Sequence, residues 1–397
     1  MNGNEALYAL WIKTVTEKSP SAARLAAKTF ASAEDVFNAK RSDFPDAFSE
    51  AQKALFEDKN LDEAEKILEK CEKLGMRVIP FSSSEMPDEV MRTQNPPCAL
   101  FVKGTAVFSQ NDVRVAIVGS RKATALGKKT AARIAYELAS AGITVVSGMA
   151  AGIDTAAHKG ALYGGKETLA FLGGGADVVY PKENEELYRR IIGNGAVVSE
   201  YLPGSSAQGF HFPERNRLLS AFSKAVIIVE SDENSGSMRT AEHAKKQGVP
   251  VLAIPGPIDS PVSAGTNRLI KEGCRAVTGA DDVIEFLSAE YGMRLKIMKR
   301  LSSPVRTDNA EAKQSEKKTE KKEKAKTEKP GRKPVNISSI SDFAKEVFGL
   351  IEKRGSCAVD EICQELNADF GNAFNAVCEL EEKDIVLEAE AGRYRIK

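Results

Sequence analysis

From residue 113 onward, short apolar runs alternate with amphipathic segments, and this rhythm restricts the fold more than any other feature of the chain. VRVAIV, ITVVSG, ETLAFLG, AVVSE, AVIIVE and VPVLAIPG read as strands. TAARIAYELASAG, DTAAHKGALYG, EELYRRIIG, ERNRLLSAFS and MRTAEHAKKQG between them read as helices. A strand that is apolar at consecutive positions must be covered on both faces, which is the condition of a parallel sheet between helical layers. The expected core is therefore α/β, a Rossmann-like doubly wound parallel sheet over about 110–290.

The flanking segments have other patterns. In residues 1–75 the runs ALYALWI, SAARLAAKTFASAEDVFNA and DEAEKILEKCEKLG carry apolar residues three and four apart, as amphipathic helices do. Ser19 or Ser21 is placed to cap the second run and Gly75 to end the third, giving a small helical domain. RVIPF reads as a short strand and NPP as a break, and both are assigned to an extended sheet domain, 76–290. Residues 302–336 hold no aromatic side chain and almost nothing apolar, and read as a charged flexible linker. Within it, 313–333 has ten Lys/Arg against four Glu. In 338–397, FAKEVFGLIEKRG, VDEICQEL and GNAFNAVCELEEKD read as three helices, and IVLEAE with GRYRI as a hairpin turning near Gly392. That order is the winged-helix pattern, yet 342–397 carries thirteen acidic and seven basic residues. Its third helix offers Glu379, Glu381 and Glu382 against Lys383, so a protein contact is expected there rather than duplex DNA.

Composition closes several alternatives. A chain of 397 residues exceeds one ordinary domain, and 42% apolar content suffices for a core. No apolar run approaches the roughly 18 residues of a membrane span, and MNGNEALYALWIKTVTEK lacks the basic start of a signal peptide. Six cysteines (71, 98, 274, 357, 363, 378) without a C-x-x-C fit free thiols in a reducing cytoplasm. The net charge is zero, so any basic surface must be local.

In a parallel sheet, ligands sit at the carboxyl ends of the strands. Those ends read Gly119-Ser120-Arg121, then Ser147 to Asp154, Gly173-Gly174-Gly175, Ser199-Glu200, Ser235-Gly236-Ser237 and Pro255-Gly256. Small residues with backbone N–H groups at helix starts suit a row of phosphates. Enzyme signatures fail in turn. G-x-G-x-x-G and its ribose-binding acid are missing, GALYGGKE lacks the P-loop hydroxyl and follows a helix, and no G-x-S-x-G exists. His158, His211 and His243 are too few and too scattered for a metal site. Asp154 and His158, four apart, read as a structural pair. The segment FHFPERNRLLS is the sharpest clue: Phe210 and Phe212 flank His211, while Arg215 and Arg217 bracket Asn216. Aromatic faces stack on any unpaired base and guanidinium forks grip phosphate, which points to single-stranded nucleic acid without sequence preference.

With these residues assembled, the chain resembles the DprA/Smf family of DNA-processing proteins of natural transformation. The resemblance rests on IVGSRKATALG, SGMAAGIDTAAHKGAL, LGGGADVVYPKEN, SEYLPG, FPERNRLLSAFSKAVIIVE, SGSMRTAEHA and the run from IPGPID to GTNRLIKEGC, in order over about 98–277. The front domain resembles the sterile-alpha-motif-like module of longer members, and the tail their winged-helix domain. The resemblance implies a non-catalytic, cofactor-free binder of single-stranded DNA that protects incoming strands and loads the RecA recombinase. It also implies a homodimer built through the Rossmann domain, for which Val249–Ile254 and the helix from Ala264 to Ile270 are candidate surfaces. Carried over residue by residue, Gly119, Ser120 and Arg121 match the phosphate-binding turn, with Arg121 the principal contact. Lys182 matches a basic neighbour of the groove, and Phe212, Arg215 and Asn216 the base- and backbone-contacting segment. Arg217 and the helix start Ser235-Gly236-Ser237 with Arg239 complete the expected DNA-binding set. Members often place a lysine before the Phe-Pro pair; this loop reads SSAQGFHF, so the grip there is expected to be weaker or to be supplied by Arg239.

Two rival readings concern the core, and a third, an interaction scaffold with a vestigial pocket, applies to the terminal domains. A nucleotide phosphoribohydrolase of the same Rossmann branch needs P-G-G-x-G-T-x-x-E, where this chain reads SGSMRTAE with Glu242 as the only match to the carboxylate. A nicotinamide-dependent oxidoreductase lacks both its glycine fingerprint and its acid.

Overall fold

The structure, a computed structural model, describes residues 3–292, 340–389 and 393–397. The expected linker at 302–336 and the hairpin turn at Gly392 lie outside the described residues.

Five helices open the chain: α1 (Gly3–Val15), α2 (Pro20–Thr29), α3 (Ala33–Asn38), α4 (Glu50–Leu55) and α5 (Asp62–Lys73). Ser32 and Ser49 cap α3 and α4 by accepting from the N–H groups of Asp35 and Gln52. Ser19 stands at the start of α2, but its hydroxyl makes no capping bond; Pro20 supplies the helix start instead. Gly75 follows α5 at φ +64°, in the left-handed region that favours glycine. Aromatic rings fill this unit, with Phe44 stacked on Phe56 at 4.9 Å and Trp11 tilted against Phe56 at 6.0 Å.

The chain continues through β1 (Met76–Pro80), α6 (Asp88–Met91) and β2 (Ala99–Gly104) into β3 (Arg114–Val118), α7 (Ala125–Ser140), β4 (Thr144–Ser147), α8 (Ile153–Tyr163) and β5 (Thr168–Phe171). Next come α9 (Glu185–Gly193), β6 (Gly195–Ser199), α10 (His211–Ala221), β7 (Ala225–Ile228), α11 (Gly236–Lys246), β8 (Val251–Ala253), α12 (Pro261–Lys271), β9 (Arg275–Ala276) and α13 (Ala280–Tyr291). They build a nine-stranded sheet in the order β1-β2-β6-β5-β4-β3-β7-β8-β9. β6 through β9 in that order are mutually parallel, whereas β1 and β2 add an antiparallel extension at the β6 edge. Both faces of the sheet are covered. Along β3, Val115 and Ile117 pack with α7 and α8, while Ala116 and Val118 pack with Leu218, Leu219, Met238 and Ala241 of α10 and α11. From β3 the chain runs through β4, β5 and β6 on one side, then crosses to β7 on the other. The carboxyl ends of β3 and β7 therefore border a topological switch point, where such sheets seat their ligands.

The C-terminal unit comprises α14 (Asp342–Arg354), β10 (Cys357–Ala358), α15 (Val359–Glu365), α16 (Phe370–Glu382), β11 (Val386–Glu388) and β12 (Arg393–Ile396). Its sheet has three strands, β10-β12-β11, one more than the expected hairpin. This unit packs α16 against α7, with Phe370 stacked on Tyr136. All six cysteines are free, and among the described residues no helix is long and apolar enough to cross a membrane.

Candidate nucleic-acid interface

Gly119, the residue after β3, stands where no side chain fits. A Cβ at Gly119 would lie 2.6 Å from Cγ1 of Ile153 and 2.8 Å from the carbonyl oxygen of Glu230. The Ser120 N–H donates to that same carbonyl at 2.7 Å, which locks the turn against the end of β7 and leaves Arg121 exposed. Glu230 does more than brace the turn. Its carboxylate accepts from the N–H of Thr124 at 2.9 Å and from the Thr124 hydroxyl at 2.6 Å. Thr124 is the N-cap of α7, so a nearly buried side-chain anion fills the helix start at the switch point. That is the place where a dinucleotide fold holds its pyrophosphate. The turn is thus closed to a dinucleotide, and its cation faces outward.

The Arg121 guanidinium carbon lies 4.9 Å from the centroid of the Phe212 ring, and that of Arg215 lies 6.0 Å from it. Phe212 belongs to the first turn of α10, which several contacts hold in place. A Cβ at Gly173 would meet the Phe212 ring at 3.1 Å, so a glycine beyond β5 makes room for it. Nδ1 of His211 contacts the Gly173 carbonyl oxygen at 2.8 Å, and the Tyr201 ring stacks on His211 at 3.9 Å. Tyr180, half exposed, adds a ring 5.6 Å from Phe212, and Phe210 is 67% exposed beside it. Lys182 is exposed two residues beyond Tyr180. Among the described residues, no carboxylate is in ion-pair range of Arg121, Lys182 or Arg239.

Arg215 and Arg217 are placed differently from expectation, because both are about 95% buried, with 5% exposure each. Nη1 of Arg215 donates to the carbonyl of Gly148 at 2.7 Å and also to that of Phe171. A Cβ at Gly148 would stand 2.2 Å from that nitrogen, so the glycine exists for this guanidinium. Burial pushes Arg215 down to about 10, opposed by the charge of Asp154, so it stays protonated at neutral pH. Burial likewise raises the Asp154 carboxyl, opposed by Arg215 and by the N–H groups of Gly148 and Ala150 at 3.1 and 3.4 Å. Arg217 pairs through Nη2 with Glu200, and its Nε lies 3.6 Å from Glu214, which in turn binds Arg24 of α2 at 2.6 Å. Neither guanidinium is presented to solvent.

Asn216 donates to the carbonyl of Gly236 at 3.3 Å, tying α10 to the start of α11. There the hydroxyls of Ser231, Ser235 and Ser237 bond one another at 2.6–2.9 Å, and Arg239 is exposed one turn on. Asp154 and His158 do not pair. Nδ1 of His158 contacts Oγ1 of Thr168 at 2.8 Å, while Asp154 serves the 148–150 turn. Burial drives His158 down to about 3, which leaves it neutral. Sequence reasoning missed Tyr180, concealed in the apolar run DVVYP, and Glu230, whose only signal is a lone acid closing an apolar strand.

The geometry has counterparts in known proteins. The model of the family described as DNA recombination-mediator protein A matches residues 77–288, from β1 into α13. The DNA processing protein DprA of Bacillus subtilis is 36% identical over 213 residues, 54% of this chain and 72% of that protein. Its namesake in Streptococcus pneumoniae is 40% identical over 198 residues, covering 50% and 70%. The X-ray structure of DNA processing protein A from Streptococcus pneumoniae aligns with a TM-score of 0.54 at 34% identity, over 59% of this chain and 81% of that one. The matched region contains every residue of the interface from Gly119 to Arg239, and the chain belongs to the DNA recombination-mediator protein A family.

Proposed function

We propose that the carboxyl edge around the switch point binds single-stranded DNA, with Arg121 and Phe212 at its centre. The observation that carries this reading is the Arg121–Phe212 pair: an exposed guanidinium, with no carboxylate partner among the described residues, poised over a partly buried ring. A phosphate can take the cation while the neighbouring base takes a ring face, and Phe210 and Tyr180 extend the stacking surface. Lys182 and Arg239 add charge along the same edge, and Gly119, Ser120, Ser235, Gly236 and Ser237 let a backbone approach closely. Arg215, Asn216 and Arg217 take supporting roles: they fix α10 and the 148–150 turn from beneath rather than touching DNA.

The family acts by mediating recombination, so the chain is a binding protein and not an enzyme; a phosphoribohydrolase is not favoured. We extend the reading to protection of incoming strands and RecA loading in natural transformation, to a cytoplasmic location, and to a homodimer through the Rossmann domain. We likewise read 1–75 as a sterile-alpha-motif-like domain, 76–290 as the extended DNA-binding domain and 338–397 as a winged-helix domain. Fluorescence anisotropy with one labelled oligonucleotide, free and annealed to its complement, tests the central reading. Single-strand affinity about tenfold or more above duplex affinity is expected, since paired bases cannot reach Phe212. Equal affinities would overturn it.

A further inference from the structure

The C-terminal unit sits on a surface whose chemistry matches the candidate interface. On α7 and α8 the cations Lys128, Lys129, Arg133 and Lys159 line the seat of α16. Phe370 of α16 stacks on Tyr136 with ring centroids 4.4 Å apart and planes 6° from parallel, and Tyr163 flanks it at 5.5 Å. That is the geometry of an unpaired base on an aromatic platform. Gly371 allows the close approach: a Cβ there would meet Cε of Lys129 at 3.2 Å and Cδ of Arg133 at 3.7 Å. Glu381 reaches Nζ of Lys159 at 3.5 Å, a carboxylate where a phosphate would stand.

The charge match is incomplete. The Lys129 ammonium meets the neutral side-chain oxygen of Asn372. Arg133 reaches only the Thr278 carbonyl, at 3.4 Å, and its Nε is buried without a partner. Glu379 is committed to Ser341 at 2.6–2.7 Å, while Asp369 and Glu346 also line this face.

The seat is also continuous with the candidate interface. The cleft between α16 and the body is lined by Lys128, Lys159, Phe374 and Glu381 and extends to Gly152, Pro181 and Glu183. Gly152 lies against the Ser120 and Arg121 carbonyls, where a Cβ would come within 2.3–2.8 Å, and Pro181 and Glu183 bracket Lys182.

We propose that the α7–α8 face beneath α16 is a second stretch of the single-stranded-DNA path, and that the C-terminal unit is its displaceable cover, with Phe370 in place of a base and Glu381 in place of a phosphate. The proposal rests on the reading of the Arg121–Phe212 edge. A short oligonucleotide would occupy that edge alone, whereas a longer one would have to displace α16 to run on along α7. Cover and seat belong to one chain, so the competition is intramolecular and DNA length decides it.

The test compares full-length wild type with Phe370→Ala on single strands of about 6 and about 20 nucleotides, since one platform of this kind spans roughly 4–16. Amide hydrogen exchange over 128–136 reports whether the cover has left. If Phe370→Ala alone does not release it, Phe370→Ala with Glu381→Lys turns the Lys159 contact into repulsion. With the cover released, affinity for the long strand should rise about threefold to tenfold and its salt dependence should steepen by about 0.7 per added phosphate contact. Affinity for the short strand should not change, and Lys128→Gln with Lys129→Gln in the released background should cancel the gain. A released cover with no gain on the long strand would show the seat to be a structural contact only. Failure of both strands to bind any form would overturn the Arg121–Phe212 reading, and this proposal with it.

Discussion

The guanidinium of Arg121 stands 4.9 Å above the Phe212 ring although the two residues come from different strand ends, one after β3 and the other in the loop-to-helix passage after β6. Folding alone brings them together, and Glu230 makes the pairing consequential. Because that carboxylate already occupies the start of α7, the proposed phosphate contact falls to the exposed Arg121 rather than to the helix terminus.

Phe212→Ala is expected to weaken single-strand binding by about 1–3 kcal/mol, the range of one base–aromatic stack. Phe212→Tyr should keep most of the affinity, since the ring face remains. Anisotropy titrations check this; an unchanged Phe212→Ala would remove stacking from the account.

Arg215→Met should act on stability before it acts on binding. It leaves the buried carbonyls of Gly148 and Phe171 without their donor, at about 1–3 kcal/mol for each buried unsatisfied group, and removes the positive charge that favours the Asp154 carboxylate. Adding Asp154→Asn should restore part of the loss. Gly148→Ala should also destabilise, since its methyl group would meet Nη1 of Arg215 at 2.2 Å. Urea unfolding measures all three. A fully stable Arg215→Met protein that no longer binds DNA would return Arg215 to direct contact.

The ion pair between Arg24 and Glu214 links the N-terminal helices to α10. Both side chains are partly exposed, so Arg24→Ala should cost less than about 1 kcal/mol of stability. Its effect should appear as faster hydrogen exchange in 208–214, beside Phe212. Unaltered exchange there would show that the N-terminal unit does not support the interface.

His158 gives a pH signature. Burial lowers its folded value from 6.5 to about 3, so the unfolded chain takes up a proton that the folded protein refuses. This contribution to stability is complete above about pH 6.5 and is lost progressively as pH falls toward 3, at up to roughly 1.4 kcal/mol per pH unit. His158→Gln should flatten the stability profile between pH 6.5 and 5. A wild-type profile already flat over that window would contradict the assignment.

The alternation of apolar and amphipathic runs made the parallel sheet legible, because strands covered on both faces must be apolar at every position. The rows of small residues at the strand ends pointed to the edge that the proposal assigns to single-stranded DNA. What stayed hidden was set by partners distant in sequence. Nothing in FPERNRLLS distinguishes an arginine that faces solvent from one bound to the Gly148 carbonyl or paired with Glu200, so the burial of Arg215 and Arg217 was illegible. The antiparallel pairing of β1 and β2 at the β6 edge is equally non-local. The acidity of α16 was readable, but its seat on α7 was not.

The account rests on Arg121 neutralising a phosphate of an unpaired strand. The most direct measurement is the slope of log affinity against log salt for wild type and Arg121→Ala on one single-stranded oligonucleotide. The predicted result is a several-fold weaker Arg121→Ala protein, still folded, with a slope shallower by about 0.7, one phosphate contact. Identical slopes and affinities in the two proteins would contradict it.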